Sequence, residues 1–180
     1  MEVWKQLSKD RERGARALVA EYSGRLYAAA FQICQNEHDA EDLVQRTLVR
    51  VVERISTFNG NGNFFTWMFS ILVNFYRMDI RRKAANALVF DDQEVEVVDV
   101  RPEPGEQLAR VEDAVSVRRA VAILPEPLRL VVVMHYFSGI PVPEIARLLE
   151  MPEGTVYFRL HGARKKIREI LSKVFRRAGI

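Results

Sequence analysis

The sequence predicts an all-α protein in which two small helical domains are joined by a flexible acidic linker. Two observations carry this prediction. Apolar residues recur at three- and four-residue steps through most of the chain, which is the spacing of amphipathic helices. Charge divides into three segments: residues 1–83 carry 13 Lys/Arg against 10 Asp/Glu, residues 84–116 carry 2 against 9, and residues 117–180 carry 12 against 5. The basic ends favour a polyanionic partner, which the acidic middle would repel.

The first domain, residues 1–84, opens with amphipathic helical patterns. Between about Arg11 and Gln35, helical spacing relates Leu18, Val19, Tyr22, Leu26, Ala29, Ala30 and Ile33. Asn36 to Asp39 then offers capping side chains for a second long helix, and carboxylates in its first turn complement the helix dipole. We expect that helix to end near Phe58.

A glycine- and asparagine-rich loop separates this helix from a third one. Asn59 to Asn63 is read as a loop because glycine and asparagine tolerate a positive φ. Phe64 to Lys83 then predicts a helix rich in aromatic residues. Spacing favours core positions within that helix for Phe64, Trp67, Ile71 and Phe75.

The middle of the chain, residues 85–112, reads as the acidic linker, since it has little periodic apolar content. The second domain, residues 113–180, starts with a helical pattern that reaches Leu124. A further helix runs from Leu128 to Phe137, although the β-branched run Val131 to Val133 leaves a strand open as an alternative.

The pattern after Pro141 predicts a helix-turn-helix. Its first helix carries Ile145, Leu148 and Leu149 at helical spacing, and its second resumes the apolar stripe with Val156, Leu160, Ala163 and Ile167. Glu150 occupies the turn between them, where a non-glycine residue at positive φ costs on the order of 1 kcal/mol. Cations on the second helix suit contact with phosphates while neighbouring side chains reach base edges in the major groove.

These segments together resemble the extracytoplasmic-function (ECF) sigma factors, the minimal two-domain members of the sigma-70 family. Asp39-Ala-Glu-Asp-Leu-Val-Gln45 is similar to the helix of conserved region 2, Phe64 to Asn74 to its promoter-melting segment, and Leu124-Pro-Glu-Pro-Leu-Arg129 to the start of region 4. The resemblance implies a non-catalytic transcription initiation factor. Its expected partners are core RNA polymerase, promoter DNA and an anti-sigma factor, and no small-molecule substrate.

The resemblance also implies roles for particular residues. The polymerase-binding positions are Asp39, Glu41, Asp42, Leu43 and Gln45, and Arg46 departs from the family pattern because it is basic. Recognition and melting of the minus 10 element, with a pocket for a flipped base, fall to Phe58, Asn59, Asn61, Asn63, Phe64, Asn74, Arg77, Arg81 and Arg82. Aromatic faces and cations stabilise unpaired bases, so the chemistry agrees with this assignment.

Recognition of the minus 35 element falls to the second helix of the helix-turn-helix. The candidates are Thr155, Tyr157, Phe158, Arg159, His161, Arg164 and Lys165. Three positions depart from the family pattern: Tyr157 stands where a basic residue is common, Phe158 where serine is common, and Gly162 where arginine is frequent. They leave open an unusual upstream element or a surface used for another protein.

Other functions remain as alternatives. A DNA-binding regulator like the output domain of response regulators shares the helix-turn-helix pattern, but its receiver domain would alternate strands with helices. An interaction protein that binds only polymerase or an inhibitor is the third possibility. A catalytic or metal site has little support, since Cys34 and His38 are four residues apart without a third ligand or an orienting acid.

The cysteine content and the hydropathy pattern indicate the cellular compartment. The single cysteine cannot form a disulfide within the chain, and a lone thiol suits a reducing compartment. We find no apolar run long enough to cross a bilayer and no signal-peptide pattern at the N-terminus. We therefore expect a cytoplasmic protein without cofactor or metal.

Overall fold

Helices form all of the regular structure in the computed structural model, which describes residues 2–87 and 108–177. In those ranges the α-helices are α1 (Val3–Lys9), α2 (Arg11–Cys34), α3 (Glu37–Arg54), α4 (Phe64–Ala87), α5 (Leu108–Ala122), α6 (Glu126–Val132), α7 (Val142–Leu149) and α8 (Glu153–Arg177). A 3-10 turn, Ile55–Thr57, follows α3, and a π-helical turn, Val133–Phe137, continues α6. The chain divides into two units, Met1–Val97 and Val98–Ile180. The predicted all-α fold with two domains is confirmed.

The helix boundaries of the first unit follow from capping. The side chain of Asp10 accepts a hydrogen bond from the backbone N–H of Arg13 at the start of α2, and Asn36 does the same for Asp39 at the start of α3. Gln35 ends α2 in the left-handed conformation, with φ of 56°. The predicted cap at Asn36 is therefore confirmed, and only two residues separate α2 from α3.

The core face of α4 differs from the expected one. Trp67, Ile71 and Phe75 are only half-buried, whereas the core receives Phe65, Met68, Phe69, Leu72, Val73 and Tyr76. Phe64 is buried as expected. Because α4 is apolar on several faces, its periodicity alone does not select one. Packing against α2 and α3 makes the selection.

The second unit is organised around α8, against which α5, α6 and α7 pack. Val131 to Val133 lies in the helical segment formed by α6 and the π-helical turn and is buried, so the strand alternative is wrong. The side chain of Arg129 closes the end of α5 by donating to the carbonyl oxygens of Ala122 and Leu124, at 3.3 and 3.0 Å.

The helix-turn-helix consists of α7 and α8. Ile145, Leu149, Val156, Leu160 and Ala163 are buried between the helices of this unit, while Leu148 and Ile167 are half-buried. Glu150 has the left-handed conformation expected of it, with φ of 55° and ψ of 47°. The residues Glu150 to Pro152 thus form the turn of the motif.

The predicted linker is helical at both ends. Helix α4 continues to Ala87 and α5 begins at Leu108, so residues 85–87 and 108–112 belong to helices rather than to a linker. Both ends extend neighbouring helices, which sequence patterns locate poorly at their last turn. The remainder of the predicted linker, residues 88–107, lies outside the described residues.

Helix α1 packs on α2 at a glycine. A Cβ at Gly14 would lie 2.2 Å from the Cα of Leu7, a separation that real atoms do not reach. A Cβ at Gly24, on the same helix, would have no neighbour within 4 Å. One glycine is therefore required by close packing and the other is not.

This difference predicts opposite effects for the same substitution. Gly14→Ala should lower the free energy of unfolding by about 1–3 kcal/mol because α1 is pushed from α2. Gly24→Ala should raise it by about 0.5–1 kcal/mol because alanine favours the helix. Urea unfolding followed by tryptophan fluorescence checks both, since the chain has two tryptophans and both lie in the first unit. Equal effects would contradict the packing described for Gly14.

Candidate nucleic-acid interface

An acidic surface lies on the first half of α3. Glu41, Asp42 and Gln45 are exposed and Asp39 is half-buried. Leu43 departs from the expected role, because its side chain is 1% exposed and packs in the core. It orients the helix and cannot reach a partner from that position.

Two cross-helix ion contacts involve this acidic surface. Lys83 of α4 donates to Oδ2 of Asp39 at 2.6 Å. The guanidinium of Arg46 pairs with both carboxylate oxygens of Asp79 on α4, and its Nε lies 2.8 Å from Oδ2 of Asp42. The hydrogen bond to Asp79 is the largest cause that raises the pKa of Arg46 above its ordinary value. Arg46 thus joins α3 to α4, which its sequence position did not indicate.

The loop between the 3-10 turn and α4 is held by its own asparagines. Oδ1 of Asn59 accepts from the backbone N–H of Asn61 at 3.0 Å, and Oδ1 of Asn63 accepts from the N–H groups of Phe65 and Thr66 at 2.8 and 3.3 Å. Gly60 and Gly62 both have a positive φ, of 81° and 87°. The residues Asn59, Asn61 and Asn63 are exposed, while Oδ1 of Asn59 and Oδ1 of Asn63 are held by backbone N–H groups of the loop and of α4.

An aromatic cluster lies beneath this loop. Phe58 is 7% exposed and Phe64 8% exposed, so the two rings form a packed floor under the loop. Their ring centroids are 5.1 Å apart, and each lies within 5.6 Å of the half-buried Trp67. Burial, as the largest cause, raises the pKa of Tyr22, whose ring contacts Phe64 edge-on, to about 12.

Sequence reasoning missed one member of the cluster. Trp4 of α1 contacts Phe58 in an edge-to-face arrangement, with ring centroids 5.4 Å apart. It is half-buried. No spacing pattern linked the first helix to the loop, because a gap of more than fifty residues separates them in the sequence. The contact exists only in the tertiary structure.

The second half of α4 presents a polar and basic face. Asn74, Arg81 and Arg82 are exposed and Arg77 is half-buried. Asn74, Arg77 and Arg81 are spaced by three and four residues, so they share one side of the helix, and Arg82 lies beside them. This helix begins at the loop over the aromatic cluster, so the predicted minus 10 residues fall on one continuous segment of the first unit.

The outward face of α8 combines aromatic and basic side chains. Tyr157 is 57% exposed and Phe158 77% exposed. His161, Arg164 and Lys165 are exposed, whereas Thr155 and Arg159 are half-buried. A Cβ at Gly162, one turn after Phe158, would have no neighbour within 4 Å, so packing inside the domain does not require this glycine.

Comparison with known proteins identifies the family. The family model described as Sigma-70 region 2 matches residues 18–86, and the one described as Sigma-70, region 4 matches residues 114–167. The chain belongs to the sigma-70 family. It is an alternative sigma factor, which is a transcription initiation factor, and this family is not one of enzymes.

Relatives place this sigma factor in the ECF group. It is 30% identical over 146 residues to the ECF RNA polymerase sigma factor EcfG of Rhodopseudomonas palustris, with 81% of this chain and 78% of the relative covered. It is 27% identical over 177 residues to the ECF RNA polymerase sigma factor SigW of Bacillus subtilis, with 93% and 94% covered.

Solved structures agree on the fold. The sigma factor RpoE of Bartonella quintana, crystallised with the anti-sigma factor NepR, matches with a TM-score of 0.73 at 24% identity, covering 87% of this chain and 96% of that one. CnrH in complex with the cytosolic domain of CnrY matches with a TM-score of 0.62 at 25% identity, covering 95% and 96%.

The alternatives weighed from the sequence fare differently. The described part of the first unit contains no strand, which a receiver domain would require. Cys34 ends α2 while His38 lies in α3, beyond the left-handed Gln35, so the two do not share a helical face. Among the described residues no His, Cys, Asp or Glu cluster is suited to a metal ion. None of the described helices of this sigma factor is long and apolar enough to span a membrane.

The Arg46 contacts predict a measurable coupling. Arg46→Gln should lower the free energy of unfolding by about 1 kcal/mol, because the pair with Asp79 is partly exposed. Asp79→Asn should have a similar effect, and the double variant should lose less than the sum of the two. Urea unfolding of the four proteins at low and high salt measures this coupling. Strict additivity would contradict the bridge.

Proposed function

We propose that this sigma factor binds core RNA polymerase through the exposed acidic residues of α3 and recognises promoters with both units. The N-terminal unit would read and melt the minus 10 element, and α8 would dock on the minus 35 duplex. The observation that carries the proposal is the exposed loop of residues 59–63 above an aromatic cluster, continued by the basic face of α4. Exposed amides can contact an unpaired base and cations its phosphates, while the buried rings hold the loop in place.

The pocket for an extruded base would form at the loop rather than on open rings. Phe58 and Phe64 support the loop from below, and the exposed side chains of Asn59, Asn61 and Asn63 supply amide N–H donors for a base edge. Asn74, Arg77, Arg81 and Arg82 would then hold the rest of the separated strand through its bases and phosphates. The protein needs no catalytic group or cofactor for this work, and it would act in the cytoplasm with the polymerase.

Aromatic residues on α8 favour a particular kind of minus 35 contact. Phe158 and Tyr157 have no hydrogen-bonding fork of the kind that arginine offers to guanine, and they suit apolar contact with thymine methyl groups. Arg164 and Lys165 lie nearby on the helix surface and suit phosphates. We therefore propose that base recognition by α8 depends on apolar contact, with charge supplying affinity.

An anti-sigma factor is a further proposed partner. One structural neighbour, RpoE, was crystallised with the anti-sigma factor NepR, and another, CnrH, was solved in complex with the cytosolic domain of CnrY. In the C-terminal unit of this chain Ile123, Tyr136 and Phe158 are 65%, 53% and 77% exposed. A partner that covered any of these side chains would bury apolar area that is now in contact with water.

Run-off transcription tests the proposal as a whole. Core RNA polymerase is incubated with fragmented genomic DNA of the source organism, with and without this protein. New discrete transcripts are expected only with the protein. Binding to polymerase without transcripts would instead favour a protein that only interacts, and the absence of binding would contradict the proposal.

Charge reversal tests the polymerase-binding surface. Asp39 and Asp42 contact Lys83 and Arg46, so their replacement would also disturb contacts within the protein. Glu41 takes part in neither of these contacts. Glu41→Lys should weaken binding to core polymerase at least about tenfold, because the new lysine would repel the basic groups expected opposite this acidic surface. Glu53→Lys, about 18 Å further along the same helix, is the matched control and should change little, since the ion pair it breaks with Arg50 is exposed and adds little stability. Fluorescence titration of labelled protein with core polymerase measures both, and equal affinities would contradict the assignment.

Salt dependence separates the two kinds of contact on α8. Lys165→Ala should reduce the slope of log affinity against log salt by about 1, because one phosphate contact is lost. Phe158→Ala should weaken promoter binding by about 1 kcal/mol or more with an unchanged slope. Lys173→Ala, two turns beyond Lys165, is the control for a general charge effect. The affinity of the holoenzyme for a promoter found by run-off transcription is measured at several salt concentrations. Identical slopes for all variants would contradict the assignment of Lys165 to phosphates and of Phe158 to apolar contact.

A further inference from the structure

The indole of Trp4 lies against the loop of residues 59–63. A Cβ built on Gly60 would be 3.0 and 3.2 Å from two carbons of the six-membered ring of Trp4. The same ring contacts Phe58 at its edge, at 5.4 Å between centroids. Trp4 therefore joins α1 to both the loop and the aromatic cluster beneath it.

Gly60 is restricted by this contact as well as by its backbone. Its φ of 81° lies in the region that favours glycine, and any side chain would also press on the indole. A Cβ at Gly62 would have no neighbour within 4 Å, although its φ is 87°. Helix α1 thus contacts the loop at Gly60, whereas the side-chain position of Gly62 has no neighbour.

The loop would be less defined without the indole. Two glycines at positive φ can adopt many other conformations. The hydrogen bond between Asn59 and Asn61 spans Gly60, and that of Asn63 reaches the start of α4, but neither joins the loop to α1. A pocket that reads a base must already have its shape when the base arrives, since ordering it on binding reduces affinity. Trp4 supplies the missing restraint from outside the loop's own sequence.

We propose that Trp4 is a positioning residue for minus 10 recognition and that α1 is part of the device that reads the promoter. The indole fixes Gly60, and with it the exposed amides of Asn59 and Asn61, in the arrangement that accepts an extruded nucleobase of the single strand. This inference rests on the proposed function of the loop. It adds a residue and a helix that the family assignment of the loop and α4 did not include.

The test uses the full chain assembled with core polymerase. The probe is a single-stranded oligonucleotide with the minus 10 sequence found by run-off transcription, carrying 2-aminopurine at one position at a time. Fluorescence of this base reports on its local environment, and titration gives the affinity. Affinity for core polymerase is measured separately for each variant.

Trp4→Ala should weaken oligonucleotide binding about tenfold, within the range of one base contact, and alter the 2-aminopurine signal at the extruded position only. Its affinity for core polymerase should change less than about twofold, since α3 is unaffected. Trp4→Phe should restore most of the binding. Gly60→Ala, which keeps the indole, should reproduce the loss because its methyl group meets the ring and its φ is strained.

Ile33→Ala is the control for a general loss of stability in the N-terminal unit. Ile33 is a fully buried residue of α2, about 16 Å along that helix from Tyr22, so this change lowers stability while α1, the loop and the indole keep their own residues. Circular dichroism selects a temperature at which all variants are folded. If Ile33→Ala weakens oligonucleotide binding as much as Trp4→Ala does, Trp4 acts only through stability and the proposal is overturned.

Two further outcomes distinguish failure of the positioning role from failure of the proposed function. If the parent holoenzyme binds the minus 10 oligonucleotide better than a scrambled one while Trp4→Ala binds it equally well, the positioning role is wrong and the proposed function stands. If the parent does not distinguish the two oligonucleotides, the proposed function of the loop fails and the positioning role fails with it. Loss at Trp4→Ala with rescue by Trp4→Phe supports both.

Discussion

The aromatic cluster around Phe58 and Phe64 is the interaction on which the rest of the N-terminal unit depends. It brings together side chains from four places in the chain: Trp4 of α1, Tyr22 of α2, Phe58 after the 3-10 turn, and Phe64 with Trp67 at the start of α4. Aromatic pairs in edge-to-face and offset geometry add directional contact to the burial of area. The loop above the cluster is therefore anchored at both of its ends.

Charged residues of this unit both join α3 to α4 and form the exposed acidic surface of α3. The acids of α3 that resemble polymerase-binding residues also take part in contacts with Arg46 and Lys83, and through them α3 is joined to α4. A pair that is partly exposed contributes little to stability, so these contacts can exchange for contacts with a partner at small cost. Arg46, through its contacts with Asp42 and Asp79, thereby joins the acidic surface to α4, the helix that begins at the loop.

In the C-terminal unit, one face of α8 packs in the core and the opposite face is exposed. Val156, Leu160 and Ala163 place α8 in the core, while Tyr157 and Phe158 are left outside. Half-buried Gly162, one turn after Phe158, leaves the space of a side chain unfilled, since a Cβ there would have no neighbour within 4 Å. Helix α8 of this sigma factor thus presents aromatic rings on its outward face, where the sequence resemblance implies that polar contacts are common.

The sequence by itself determined the all-α class, the two domains, the cap at Asn36 and the helix-turn-helix with Glu150 at its turn. Each of these depends on neighbours within a few residues, where periodicity and capping chemistry act. Only the tertiary structure decided which face of α4 is buried, that Leu43 is inside, that Arg46 pairs with Asp79, and that Trp4 reaches Gly60. Those outcomes depend on how helices pack over long separations in the chain, and a helix that is apolar on several sides leaves that choice to its neighbours.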